Sequence, residues 1–272
     1  MTLALTLIGV DFTSAPRPAK PITVALGRLE SDTVVLQQLE KLPDWPAFES
    51  LLARPGPWLG AFDFPFGLPR EAVVDLGWPT TWPELVRHCA GMGKTAFRAA
   101  LDAYRETRPM GKRYAHRVTD LPAHSHSPLK LVNPPVGLMF LEGAPRLLAA
   151  GLSVPGVHAA DPHRLAVEAY PGLLARSITT ESYKSDDKRK QTPERRVARV
   201  RIVDAIGADR SAAGLALHAT QAQQAVLIED ASGDSLDAVL ALLQAAACVL
   251  ASAPHYGLPP DFDPLEGWIA GA

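Results

Sequence analysis

Residues 3–21 read "LALTLIGVDFTSAPRPAKP", and the fold turns on how this stretch is read. Its first eight residues are nearly all apolar, the composition of a short strand covered on both faces. Asp11 follows directly. An ionised carboxylate is rarely buried without a hydrogen-bonding, ionic or metal partner. Taken alone, Asp11 also fits the start of the turn that Ser14, Pro16 and Pro18 continue. The other acids of the chain decide between a turn and a site.

Outward from this strand, "KPITVALGRLE" (20–30) and "SDTVVLQQLE" (31–40) read as two more strands joined at Glu30, Ser31 and Asp32, a three-strand meander. "WPAFESLLARPG" (45–56) predicts a short helix closed by Pro and Gly. "WLGAFDFPFGLP" (58–69) then repeats the opening pattern, an apolar strand ending in an acid, Asp63. Residues 79–108 read as mainly helical and residues 109–135 as a Pro-rich, His-containing connection. "VGLMFLEGAPRLLAAG" (136–151) is helical, with Pro145 expected to kink or divide it. "HRLAVEAYPG" (163–172) gives a third apolar strand ending in an acid, Glu168, and a further helix is expected from about Pro193. Of the 14 residues from Ala238 to Ala251, 13 are apolar, so that helix must be buried. Strands alternating with helices predict an α/β layer with a mixed sheet. Residues 1–272 read as one domain, with a helical and loop insertion at about 70–160.

Bulk composition sets bounds on class. With 47% hydrophobic and 21% charged residues, disorder is not expected. The 25 prolines predict many rigid connections between short elements. Cys89 and Cys248 have neither metal-ligand nor redox spacing and read as buried thiols in a reducing compartment. No basic segment precedes the N-terminal apolar run, and residues 238–251 fall short of the ~20 needed to cross a bilayer. The expected location is cytoplasmic.

The net charge of -2 argues against indiscriminate coating of nucleic acid, but its distribution is uneven. Residues 105–117 hold five basic and one acidic residue, and residues 184–201 hold eight basic and three acidic. Together they carry +9 against -11 for the remainder, as suits a local phosphate-binding surface or, equally, two solvated charged segments.

Asp11, Asp63 and Glu168 each end an apolar strand, and the C-terminal core helix opens with Asp234 and Asp237. In a sheet with parallel neighbours such strand ends share one edge, where ligands of open α/β sheets sit. A cluster of carboxylates there either retains protons or binds a cation. Mg²⁺ or Mn²⁺ would supply the positive charge and leave positions for phosphate oxygens. For Asp234 and Asp237 the plain alternative is helix capping. For Asp63 and Glu168 it is pairing with an arginine or backbone amides.

The blocks "GVDFTSAP", "FDFPFGLP", "RVTD", "PPVGLM", "EAYPG", "DSLDAVLALLQAA" and "LEGWI", in this order and across nearly the whole length, resemble domain-of-unknown-function family 429. That family is described as predicted nucleases of the RNase H-like fold. The resemblance implies a five-stranded mixed sheet in the order 3-2-1-4-5 with strand 2 antiparallel. It puts Asp11 at the first-strand acid, Asp63 at the fourth, Glu168 at the fifth and Asp237 on the C-terminal helix, with Asp234 as companion. These would be catalytic and metal-binding residues of a two-metal nuclease, the ions bridged by Asp11. Lys112, Arg113, Arg117, Lys184, Lys188, Arg189, Arg195 and Arg196 would position nucleic acid through its phosphates. Arg117 and Asp120 would pair near the site or form a structural salt bridge, and Lys20 is within reach of a phosphate at the first turn.

Two rivals stand beside this reading. Actin-like ATPases and sugar kinases share RNase H-like sheets with a phosphate-binding turn, but "DFTSAP" lacks the glycine that lets backbone amides wrap a phosphate. The other rival is a non-catalytic nucleic-acid-binding protein, favoured if the acids are separated or capped. "HCAGMGKT" (88–95) has His where a P-loop needs Gly and lies in a helical context. "HSHSP" (124–128) reads as a Pro-bounded polar loop rather than a zinc site.

Overall fold

The computed structural model describes residues 5–272, so Leu3 and Ala4 of the expected first strand lie outside the described residues. β1 (Thr6–Asp11), β2 (Ile22–Glu30) and β3 (Thr33–Leu42) form the expected antiparallel meander. α1 (Trp45–Leu52) is capped by the Asp44 carboxylate, which accepts the Ala47 N–H at 2.9 Å, and Pro46 fits its first turn. Then come β4 (Trp58–Phe62), α2 (Arg70–Asp75), α3 (Trp82–Glu106), α4 (Asp120–Ala123) and α5 (Val136–Ala149). The chain continues through β5 (Leu152–Ser153), β6 (Asp161–Glu168), α6 (Pro171–Ile178), α7 (Pro193–Gly207), β7 (Ala216–His218), α8 (Gln221–Glu229) and α9 (Asp234–Ala251).

The sheet is mixed α/β as expected, but it has seven strands in the order β5-β6-β4-β1-β2-β3-β7. This departs from the five-stranded order 3-2-1-4-5. β5 and β7, of two and three residues, add one strand at each edge, and runs that short carry no readable alternation. β1, β4 and β6 are mutually parallel, and β2 runs against β1 and β3. Pro145 does not divide α5, which continues to Ala149. Phe140, Ala144 and Leu147 are buried on both sides of it, and that packing outweighs the one backbone hydrogen bond a proline forfeits. The break comes instead in α3, at Gly93 (φ 72°, ψ 163°), inside the "HCAGMGKT" stretch.

Alternation within the central strands fills two cores, one on each face of the sheet. Ile8 and Val10 of β1, with Trp58 and Phe62 of β4, join the core that includes Phe48, Phe97 and Phe140. Leu7, Leu59 and Ala61 face the other way, onto α7 and α9. Gly9 belongs to this second face. A Cβ there would lie 2.1 Å from the Ala238 carbonyl oxygen and 2.3 Å from the Leu242 nitrogen. The missing side chain lets α9 lie directly on β1. α9 is long and apolar enough to cross a membrane by composition, yet 72% of it is buried inside the fold.

Candidate metal centre

The period of two that sorts the core also aims the acids. Asp11 continues the series Leu7, Gly9, and Asp63 continues Leu59, Ala61, so both belong to the α9 side of the sheet. The parallel pairing of β1 with β4 puts Val10 opposite Phe62, and the Asp63 N–H donates to the Val10 carbonyl at 2.9 Å. Asp11 and Asp63 are therefore neighbours at one strand-end edge. α9, held close by Gly9, supplies Asp237 from its first turn. Oxygens of Asp11, Asp63 and Asp237 all lie within 4.8 Å of one another.

Capping does not account for the acids of α9. The N-cap is Gly233, with φ 81°, and the Ser235 N–H is taken by Asp230 at 2.9 Å. Asp237, fully buried, accepts the Tyr183 hydroxyl at 2.6 Å on Oδ1 and the Lys184 ammonium on Oδ2. Asp234 is drawn to Lys20, whose Nζ lies 2.9 and 3.1 Å from its two oxygens and 2.7 Å from Asp186. Asp11 and Asp63 accept no side-chain hydrogen bond from any donor among the described residues. They line a cavity of about 660 Å³ with Thr13, Ser14, Lys20, Lys184 and Arg176.

Glu168 follows Val167 and so belongs to the opposite face, where Arg117 waits. The guanidinium meets both carboxylate oxygens, at 2.7 and 2.8 Å, and the Phe66 N–H adds a third bond at 2.9 Å. Arg117 also binds Asp120 at 2.9 Å and the Glu266 carbonyl at 3.0 Å. The segment after α9 fastens this arrangement. Glu266 accepts the backbone N–H groups of Arg70 and Val118 at 2.8 and 2.9 Å, and the Ala270 N–H donates to the Glu168 carbonyl at 2.9 Å. Glu168 still borders the cavity, but its negative charge is matched.

The electrostatics follow from this pairing. Burial raises the Asp63 carboxyl to about 7, with Lys184 opposing and Asp237 and Glu168 adding to the rise. Burial also raises Asp11 well above the usual carboxylate range, reinforced by Asp237 and Asp234. Burial works against the Lys184 ammonium, yet the carboxylates of Asp237, Asp11 and Asp63 hold it well above its ordinary value. Three carboxylates thus share one ammonium. Oxygen donors with excess negative charge, within 4.8 Å of one another, could hold a metal ion.

No family model, curated protein or solved structure matches the chain.

The basic residues expected on a nucleic-acid surface divide. Lys112, Arg113 and Lys188 are exposed. Arg189 pairs with Asp187 and Arg196 with Glu229, both at the surface. Arg195 donates to the Lys184 carbonyl. One expectation is corrected. Arg117, 2% exposed, is the buried partner of Glu168 and Asp120, because those carboxylates and burial leave it no reach to a phosphate track. Lys184 donates to Asp237 and lines the cavity with its side chain 42% exposed. Tyr183 went unread in the sequence, where a lone Tyr before a charged run carries no signal. His126 borders the cavity, its pKa lowered by burial and by Lys130, and His124 caps α4 in a left-handed conformation.

Proposed function

We propose that this chain is a metal-dependent nuclease of RNase H-like fold that hydrolyses phosphodiesters of DNA or RNA with Mg²⁺ or Mn²⁺. The fold reading draws on the inner run β3-β2-β1-β4-β6, with β2 antiparallel and an acid at the end of the central strand. One observation carries the functional reading. Asp11 and Asp63 accept no side-chain hydrogen bond among the described residues while sharing a 4.8 Å triangle with Asp237 at a cavity wall.

Asp11 and Asp63 would be the primary ligands, and Asp237, fixed by Tyr183 and Lys184, would complete the set. A divalent ion held there would generate a nucleophile from water and stabilise charge on the phosphate. Lys20 and Lys184 place positive charge at the cavity wall, and the Thr13 and Ser14 hydroxyls are neutral donors beside it. Arg117 holds Glu168 in place.

The test is Asp11→Asn, assayed with Mn²⁺ on single-stranded, duplex and branched DNA and RNA. Loss of cleavage with an unchanged circular dichroism spectrum is expected. Wild-type cleavage by the mutant would remove the mechanism. A second reading, a nucleotide-dependent phosphotransferase or ATPase, draws on the cavity, whose size suits one small ligand, and on Thr13 and Ser14 in the turn after β1. Calorimetric binding of ATP by the wild-type protein without nucleic-acid cleavage would favour it. A non-catalytic nucleic-acid-binding protein would bind with equal affinity in EDTA and yield no products.

A further inference from the structure

The acids that meet at the cavity are too few, and too heavily engaged on one side, for the pair of ions that the nuclease reading first suggests. Two ions in such sites sit roughly 4 Å apart and need ligands on both flanks. A single Mg²⁺ holds its oxygens at about 2.0–2.1 Å, so the edges of one coordination shell run from about 3 to 4 Å. The triangle of Asp11, Asp63 and Asp237, with every edge within 4.8 Å, is narrow enough for one ion to be shared by all three after small side-chain shifts.

The two acids that might serve a second ion already have cations. Both Glu168 oxygens are held by Arg117, at 2.7 and 2.8 Å. Arg117 is itself 2% exposed, so swinging it away would leave a buried charge unpaired. Both Asp234 oxygens lie within 3.1 Å of the Lys20 ammonium. Beside the triangle, the Lys184 ammonium donates to Asp237 Oδ2, and Tyr183 holds the other oxygen at 2.6 Å.

Resting on the nuclease reading above, we infer that the centre binds one divalent ion and that the Lys184 ammonium is its second cation. Lys184 is positioned by three independent contacts. Asp237 receives its ammonium, Arg195 holds its carbonyl oxygen, and its side chain packs over Gly233, where a Cβ would lie 2.6 Å from the Lys184 Cβ. Gly233, with φ 81°, thus permits both the start of α9 and the approach of this lysine. When phosphate occupies the cavity, the ammonium would neutralise oxygen charge opposite the metal, the task a second ion performs elsewhere.

The test is calorimetric titration of the full chain with Mn²⁺ at pH 8, checked by the electron paramagnetic resonance count of bound Mn²⁺. One ion per chain is expected for the wild type. Two would overturn this inference while leaving the nuclease reading in place. None would remove the nuclease reading itself. Lys184→Ala is then assayed on bis(p-nitrophenyl) phosphate, where a hundredfold or greater fall in kcat, partly restored by millimolar methylammonium, is expected. An undiminished kcat, or a loss that methylammonium does not restore although one Mn²⁺ is still bound, would refute the role given to the ammonium. Should Lys184→Ala fail to fold, Lys184→Arg serves in its place. Its retained charge is expected to preserve the single Mn²⁺, and a count of two would again overturn the inference.

Discussion

Replacing Asp63 by asparagine should change stability in opposite directions with and without metal. The Asp63 carboxyl lies at about 7 in the folded chain against an ordinary 3.8. Between roughly pH 4 and pH 7 the folded protein keeps a proton that the unfolded chain has released, so stability falls as pH rises through this window and levels off above it. The full difference corresponds to about 4 kcal/mol, each tenfold change in proton affinity being worth about 1.4 kcal/mol. The side chain is only half-buried, and solvent screening reduces the expected effect to about 2–4 kcal/mol. The neutral amide of the mutant carries no charge and escapes this loss. In EDTA at pH 8, Asp63→Asn should therefore melt higher than wild type by roughly 5–10 °C, with the two converging near pH 4. Adding Mn²⁺ at about a hundred times its Kd should stabilise wild type by roughly 2.7 kcal/mol and the mutant far less, closing or reversing the gap. Differential scanning fluorimetry at pH 4, 6 and 8, with EDTA or Mn²⁺, reads all of this. A wild type as stable at pH 8 as at pH 5 in EDTA, or a mutant that melts lower at pH 8, would refute the electrostatic account of the centre.

Two further outcomes test how the scaffold holds the acids. Arg117→Met leaves Glu168 and Asp120 without their guanidinium and should cost about 3–5 kcal/mol in urea unfolding. A loss under 1 kcal/mol would show that the network is expendable. Gly9→Ala forces a methyl group to within 2.1 Å of a backbone oxygen of α9 and should destabilise by about 3 kcal/mol or more while abolishing Mn²⁺ heat. Gly91→Ala, in open helical space, should be neutral or slightly stabilising in the same assay.

The central strands, α1, α7 and α9 were legible because their residues repeat at the period of their element and their ends carry Pro, Gly or Asp. β5 and β7 were not, since a strand of two or three residues exists only through its neighbour. The recurrence of acids at strand ends pointed to Asp11 and Asp63, and α9 did deliver Asp237. What the sequence withheld was the face. Glu168 stands one residue out of phase with its core-facing neighbour Val167, which turns it toward Arg117, but the phase means nothing until the direction of the sheet is known. The contact of Lys184 with Asp237 was hidden for a related reason. A lysine in a run of eight basic residues looks solvated, and only the packing of residues 183–184 against α9 draws it in.

The strap formed by Glu266, Ile269 and Ala270 orders events in time. A ribosome releases Asp11 and Asp63 early, but the edge beside them stays unfinished until residues 234–270 have emerged, because Asp237 arrives with α9 and Glu168, already paired with β4, gains its second backbone neighbour from the strap. The nascent chain therefore carries a half-made acidic pocket through most of its synthesis, and the carboxylate cluster closes only in the last step of folding.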